Sequence, residues 1–455
     1  DSDAPAGLSA GAVIRLGVRM VPPPPPAVPG AYDYARVAWF EGIGATGRGF
    51  GPVKLLRPGA PDNGLRARLS AHIQAQAPGS PGAIAAALAT GDQGAIALDD
   101  AEAMRRAGLA HLLSVSGLHI TAVVGATMLI VLRLLALSPW LALRMRLPLV
   151  AAAAGAIAAI GYTVLTGAEV PTVRSCVAAL LVLAAIALGR EAMTLRLVAT
   201  GALVVLLVWP EALAGPSFQL SFAAVGAIVA LHESPRVRGW FAAHDESWWR
   251  GLPRRIAALL VTGIVVEIAL APIGLYHFHK AGLYGSLANI VAIPLTTFVV
   301  MPLEALALLF DLVGAGAPFW WLTVQALRLL LAIAHLTAAA PGAVATLPAM
   351  PEGAYALIVA GGLWLGLWRT RARTAGIVPI VAGALWTIAT PPPDLLVTGD
   401  GRHLALRTPA GDMAMLRDRA GDYTQAMLAE NGGVDGVPLL LAEQDFARCT
   451  RDLCL

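Results

Sequence analysis

Lysine is nearly missing from this chain: Lys54 and Lys280 are the only two in 455 residues, so arginine supplies almost all of the positive charge behind a net +3. That excludes a molecule that is basic all over. Charged residues together make up only 13% of the sequence and hydrophobic residues 57%, a balance that excludes an ordinary soluble domain, where about a quarter of residues are charged. Cysteine is scarce too, at three residues. Cys176 falls in an apolar run and reads as packing. Cys449 and Cys454, in "CTRDLC", either close a small disulfide outside the reducing cytosol or stay as two thiols in a tail. Catalytic signatures are missing as well. There is no HExxH (the nearest is "HESPR" at 232), no HxHxDH, no GxSxG and no Walker loop, so the common hydrolase and nucleotide-binding motifs have no foothold. The chain starts at Asp1 with neither Met nor a signal-like charged start, and we expect it to be an excerpt whose upstream part is missing.

Long apolar runs, by contrast, are abundant. About 20 apolar residues cross a bilayer as a helix, and ten runs are expected to do so, near 118–138, 147–166, 175–189, 196–210, 217–232, 256–275, 286–310, 319–338, 354–368 and 374–390. Alternate loops between them differ in charge. One set holds twelve arginines, the other only Arg174 and Lys280. The positive-inside rule then places the arginine-rich loops in the cytoplasm and, with an even number of spans, both soluble ends outside it. The longest inner loop, "ESPRVRGWFAAHDESWWRGLPRR", mixes Trp240, Trp248 and Trp249 with arginines, as a helix lying among lipid headgroups would.

The ends of the chain read differently. In "AVIRLGVRMV" apolar residues alternate with Arg15, Gly17 and Arg19, the period of a half-buried strand. "PPPPP" forms an extended spacer, and 29–56 reads as turn, short helix, turn and strand, a piece of a small β-barrel. Residues 62–76 follow as an amphipathic helix with Leu65, Leu69 and Ile73 on one stripe. "PGSPGA" breaks it, and a further helix begins near "LDDAEAM", where Asp99 is placed to cap. Residues 394–455 have the look of strands and a hairpin, turning at Pro409 to Asp412.

Where the soluble part meets the first span stands "GLAHLLSVSGLHI", residues 108–120. Its histidines, His111 and His119, are eight apart and on different faces of a helix, which argues against a chelate. His277 and His279 in "YHFHK" are a closer pair without a third ligand nearby. One enzymatic alternative stays open: Ser116 as an intramembrane nucleophile with His335 as its base, as in rhomboid-type proteases. A small-solute transporter is another. Polar residues inside the runs (His119, Glu169, Arg174, Gln219, Ser221, Glu267, Asn289, Gln325, Arg328 and His335) are costly at membrane depth unless paired or wet. Each serves either as a contact between helices or as lining of a path.

"GDQGAIALDDAEAMRRAGLAHLLSVSGLHI", "EVPTVRSCVAALL", "GPSFQLSFAAVGAI" and "GSLANIVAIPL", together with "PGAYDYARVAWFEGIGATG", resemble, in order, segments of the ComEC family of competence proteins. The resemblance implies a polytopic α-helical membrane protein flanked by a partial OB-like β domain (1–60), a helical linker (61–117), a channel domain (118–390) and a degenerate or truncated metallo-β-lactamase-like segment (391–455). It implies import of single-stranded DNA across the bacterial inner membrane in natural transformation, with no cofactor and no reaction of its own. Periplasmic DNA-receptor and cytoplasmic DNA-translocating proteins are the implied partners, besides membrane lipid. Under this reading Arg15, Arg19, Arg36 and Arg48, with Tyr32, Tyr34, Trp39 and Phe40, are candidates for holding DNA by charge and stacking. His111, Ser116, Gly117, His119, Arg174, Gln219, Ser221 and Asn289 are candidates for lining the path, with Gly117 as a hinge. The family's metal motif is missing from 391–455, so no nuclease site is assigned there.

Overall fold

The computed structural model describes residue 8, residues 11–59, 64–190, 194–241 and 248–450, and residue 454. In chain order, strand β1 (Val13–Val21), helix α1 (Tyr34–Phe40) and strand β2 (Thr46–Arg57) precede three helices, α2 (Leu65–Gln76), α3 (Ser80–Thr90) and α4 (Leu98–Arg106). The apolar part follows as α5 (Gly117–Ala136), α6 (Pro139–Arg144), α7 (Leu147–Leu165), α8 (Val170–Ala187), α9 (Leu195–Val208), α10 (Pro216–Glu233), α11 (Pro235–Phe241) and α12 (Trp248–Phe278). After strand β3 (Lys280–Gly282), α13 (Gly285–Leu295) runs through one π turn (Thr296–Val300) into α14 (Met301–Asp311). Then come α15 (Ala317–Ala338), β4 (Val344–Thr346), α16 (Glu352–Leu367), α17 (Ile377–Ala389), β5 (Leu395–Val397), β6 (Leu404–Arg407), β7 (Met413–Met415), α18 (Asp422–Asn431) and β8 (Leu439–Leu440).

Every apolar run of the sequence is helical. Among the described residues, seven helices are long and apolar enough to cross a bilayer: α5, α7, α8, residues 251–278 of α12, the joined helix Gly285–Asp311, α15, and Arg371–Ala389, which ends in α17. Three of the ten expected runs form helices that fall short of that measure. Helices α9 and α16 have 14 and 16 residues, short of a bilayer's thickness, and α10 carries Gln219, His232 and Glu233. The chain is a polytopic membrane protein.

By its contacts the chain divides into two units, one of 63–269 and 282–343, the other of 1–62, 270–281 and 344–455. In the first, a core of Ile73, Ile84, Leu88, Met104, Leu109, Trp320, Leu327 and Leu330 joins α2, α3 and α4 to α15. The described part of the expected helical linker (61–117) thus contributes α2, α3 and α4 to this core. "PGSPGA" does end α2, at Gln76, but a helix the sequence did not announce starts within it: α3, with Pro81 in its first turn, where a missing N–H costs nothing. The stripe expected on α2 is also rotated. Ile73 is buried but Leu65 is 64% exposed, because Ser70 donates to Asp92 at 2.7 Å and Arg66 to the Thr90 carbonyl at 2.8 Å, and these bonds fix which face turns inward. In α4 the N-cap is Ala97, with Asp99 inside the first turn rather than at the cap.

In the second unit, α16 and α17 pack with their backbones in close approach. A Cβ on Gly361 would lie 2.5 Å from the Gly376 carbonyl oxygen, and one on Gly383 2.5 Å from that of Ala354, the small-residue contact that membrane helices use in place of apolar burial. The C-terminal segment is a four-stranded sheet in the order β5-β6-β7-β8 with only the last pair parallel. Its hairpin turns where expected, Thr408 N–H to Asp412 O at 2.8 Å. Cys449 and Cys454 are joined in a disulfide. Strands β1 and β2 form a two-stranded antiparallel ribbon, and the half-buried strand expected at its start is exposed along almost its whole length.

Candidate functional site

The ribbon collects cations. Arg15 and Arg19 lie on one face of β1, and their directly opposed partners on β2 are Lys54 and Arg48. Like charges directly opposite one another weaken a sheet, so Arg19 facing Arg48 is a local cost that an anion would remove. Between them Phe50 stands opposite Gly17, where a side chain would collide with its ring, and Phe50 is itself exposed. The other face carries Ile14, Val18 and Met20. Helix α1, capped by the Asp33 carboxylate accepting from Arg36 N–H at 3.0 Å, presents Trp39 at 80% exposure, together with exposed Phe40. Three of the sequence candidates, Arg15, Arg19 and Arg48, are thus brought together, and the exposed aromatic rings are free to stack rather than to fill a core. Lys54 and Phe50 had not been singled out; strand register alone brings them into the group.

The motif at 108–120 resolves into a helix start. Ser116 is the N-cap of α5 and His119 its third residue, and each side chain serves the other's backbone in a capping box. Ser116 N–H donates to His119 Nδ1 at 3.1 Å, with Ser116 Oγ 3.2 Å from the same nitrogen. Nδ1 is thereby an acceptor, which puts the proton of a neutral ring on Nε2. That Nε2 is buried without a partner among the described residues, on a side chain 0% exposed. Thr172 of α8 donates to the Val115 carbonyl at 3.3 Å, and Gly117 faces Ser175, so the first turns of α5 and α8 meet here. Gly108 (φ +71°) comes so close to Gly285 that a Cβ would sit 2.9 Å from its Cα, which places the start of α13 beside the same segment. Gly117, the expected hinge, is the first residue of α5, directly after its N-cap Ser116. His111 is exposed.

A second polar feature was not foreseen. The helix Gly285–Asp311 buries one face, and that face carries oxygen. At its start the Glu267 carboxylate of α12 accepts from both N–H and Oγ of Ser286. Further along, Asn289 Oδ1, Thr296 Oγ1, Thr297 Oγ1 and Glu304 Oε1 are all buried without a hydrogen-bond partner among the described residues. Thr296 and Glu304 are 0% and 4% exposed. Such groups are costly unless satisfied, and a π turn, often found at functional sites, falls in their midst. Of these residues the sequence singled out only Glu267 and Asn289.

The remaining candidates separate. Arg174 is buried, with its Nε unpartnered among the described residues, but two positions from Thr172 on a helix it points away from the contact with α5. Gln219 donates to the Leu213 carbonyl at 2.9 Å, in the short turn that precedes its helix, and Ser221 is exposed. Ser116 and His335 do not form a dyad: His335 Nε2 is bound to Asp100 Oδ1 at 2.7 Å. Nor do His277 and His279 act as a pair, since His279 Nε2 donates to the Gly30 carbonyl at 3.2 Å. Burial lowers the His279 pKa, against the opposing pull of that carbonyl. Part of the inner loop proposed to lie at the headgroups, residues 242–247, is outside the described residues. Among the described residues no three His, Cys, Asp or Glu side chains come together as a metal site.

Residues 88–372 match the family described as "Competence protein". The chain is 32% identical to Competence protein ComA of Neisseria gonorrhoeae over 356 residues, 73% of this chain and 47% of that protein. It is 28% identical over 313 residues to the uncharacterized protein YcaI of Escherichia coli, 66% of this chain and 39% of that one. With ComE operon protein 3 of Bacillus subtilis it shares 23% identity over 60% of its own length and 33% of the other's. The chain thus spans a third to a half of the length of these relatives. No solved structure matches it.

Proposed function

Since the chain belongs to the competence protein family, we propose that it is the membrane conduit through which single-stranded DNA crosses the bacterial inner membrane in natural transformation. The observation that carries this reading is the buried oxygen-bearing face of Gly285–Asp311, inside the family match, where polar groups lie at a depth that apolar packing would fill with leucine. A phosphate backbone cannot cross a dry bilayer, and neutral amide and hydroxyl groups let it pass without holding it.

The basic ribbon and its exposed rings supply the second part. Arg15, Arg19, Arg48 and Lys54 suit phosphates, and Phe50 and Trp39 suit unpaired bases, the combination by which single strands are gripped without regard to sequence. In this reading all ten apolar helices are embedded, the arginine-rich loops face the cytoplasm and both soluble ends are periplasmic. The ribbon belongs to a partial OB-like domain and 391–455 to a degenerate or truncated metallo-β-lactamase-like one. The chain makes and breaks no bonds. It receives the strand from a periplasmic DNA receptor and yields it to a cytoplasmic translocating protein. Deleting the gene in a transformable host should leave labelled DNA at the periplasmic side and abolish its arrival in the cytoplasm; unchanged arrival would overturn the reading.

A further inference from the structure

Glu304 is the buried titratable group that DNA passage leaves without a task. It lies in the first turn of α14, just beyond the π turn, on a buried face shared with Thr296, Val300 and Ala307. Among the described residues it makes no hydrogen bond or ion pair, and its Oε1 is sealed from solvent. On α5, which packs against the π turn, His119 is held through Nδ1 by Ser116 at the helix start, and the charged groups of the other elements around Glu304 are engaged or turned away. On α15, Arg328 is exposed and His335 is bound to Asp100. Asp311, two turns along α14, accepts from the Trp320 indole and bonds His72. Tyr162 of α7 is within electrostatic reach of Glu304, but its hydroxyl donates to the Leu88 carbonyl. No cation is placed to offset a carboxylate, and an ion at this depth without a counter-charge is the costliest arrangement a membrane protein can hold. Glu267 on the neighbouring helix differs in degree: its Oε2 is bound at the start of α13 by two donors of Ser286, and only its Oε1 is buried without a partner among the described residues.

We propose that Glu304 is a proton-exchange site of the membrane unit. The buried side chain is the neutral acid. When the helix Gly285–Asp311 shifts enough to admit water, its O–H bond breaks, the proton passes to water, and the resulting carboxylate favours the wetted arrangement; closing takes the proton back. Protonation and opening are then two readings of one equilibrium, because the charged form is tolerated only in the open state. Thr296 and Thr297, whose hydroxyls are unpartnered at the π turn about two helical turns away, are the groups past which that water would enter. This inference stands on the geometry of Glu304 and does not need the moving strand to be DNA.

The test uses the full chain in phospholipid vesicles. A hydrophobic carbodiimide, which adds to protonated carboxyls, should modify Glu304 at neutral pH, and modification should fall at least tenfold as pH is raised. The infrared band of a protonated carboxyl should titrate with it, vanish in Glu304→Gln and persist in Glu267→Gln. Glu304→Asp, which keeps the acid if Gln disturbs folding, should retain a titrating band at a shifted midpoint. A band unchanged in Glu304→Gln, or an adduct on Glu304 that does not vary with pH, overturns the proposal. Protection of Glu304 by sodium at constant pH also overturns it, by making the site one for a metal cation.

Discussion

The start of α5 and the middle of the helix Gly285–Asp311 are both polar stretches in apolar sequence, and the structure treats them in opposite ways. At the first, two serines and two histidines in thirteen residues look like a site, yet Ser116 and His119 spend most of their polarity on each other and on the free N–H groups of a helix start. At the second, a few scattered oxygens among leucines and valines look like nothing, yet four are buried with no partner among the described residues. Polarity at a helix end has a local use; polarity in mid-span has none, and so points to something that moves or binds.

The largest effect should come from placing a fixed charge on the buried face. Glu304→Lys replaces an acid that can be neutral with a cation costing about 3 kcal/mol or more at a helix centre, and should remove the folded protein from the membrane, read by detergent-extracted yield and thermal unfolding. Ser116→Ala breaks the capping box and should cost about 1 kcal/mol, a modest fall in unfolding temperature with DNA arrival little changed. If Ser116→Ala abolished transport at unchanged stability, the two regions would have been assigned the wrong way round.

Smaller shifts sharpen the comparison. Burial pushes the Asp100 carboxyl up, but hydrogen bonds from Ser80 and His335 outweigh it and leave its pKa below the usual value. A depressed carboxyl stabilises above the unfolded pKa of about 4, and that stability is lost as pH falls through the folded value. Asp100→Asn should therefore be less stable than the parent at neutral pH, by below about 1 kcal/mol for so exposed a pair, with the gap closing in acid unfolding curves. Thr296→Val should move stability least, within about 0.5 kcal/mol and toward stabilisation, since it removes a buried hydroxyl that lacks a partner. It should nonetheless slow transport, the signature of a functional rather than a packing role.

Much of this was legible in the sequence because hydropathy and strand period are read off directly. All ten apolar runs became helices near their expected bounds, and α1, β1, β2 and the hairpin at 404–415 appeared in place. Three kinds of feature were not legible. Helix α3 was hidden by Pro81 and Gly82, which read as breakers until the proline is known to sit in the first turn. Whether a helix of 14 to 16 residues spans or packs is set by its neighbours. The buried face of Gly285–Asp311 follows ordinary helical spacing through Thr296, Val300, Glu304 and Ala307, but its few polar members are scattered among apolar residues and do not stand out as a motif. On the ribbon, Arg15, Arg19 and Arg48 were readable as a basic strand pair, but Lys54 and Phe50 joined them only through the irregular register between Arg15 and Gly17.

Thiol accessibility along one helix tests the central claim most directly. In a chain with Cys176→Ala, reconstituted in vesicles, Asn289→Cys and Thr296→Cys should react with a membrane-impermeant thiol reagent and be slowed by added single-stranded DNA. Leu287→Cys and Phe298→Cys, on the exposed side of the same helix, should remain silent against lipid. Reaction at 287 and 298 with silence at 289 and 296, whatever DNA is present, would contradict a wetted polar path along this face.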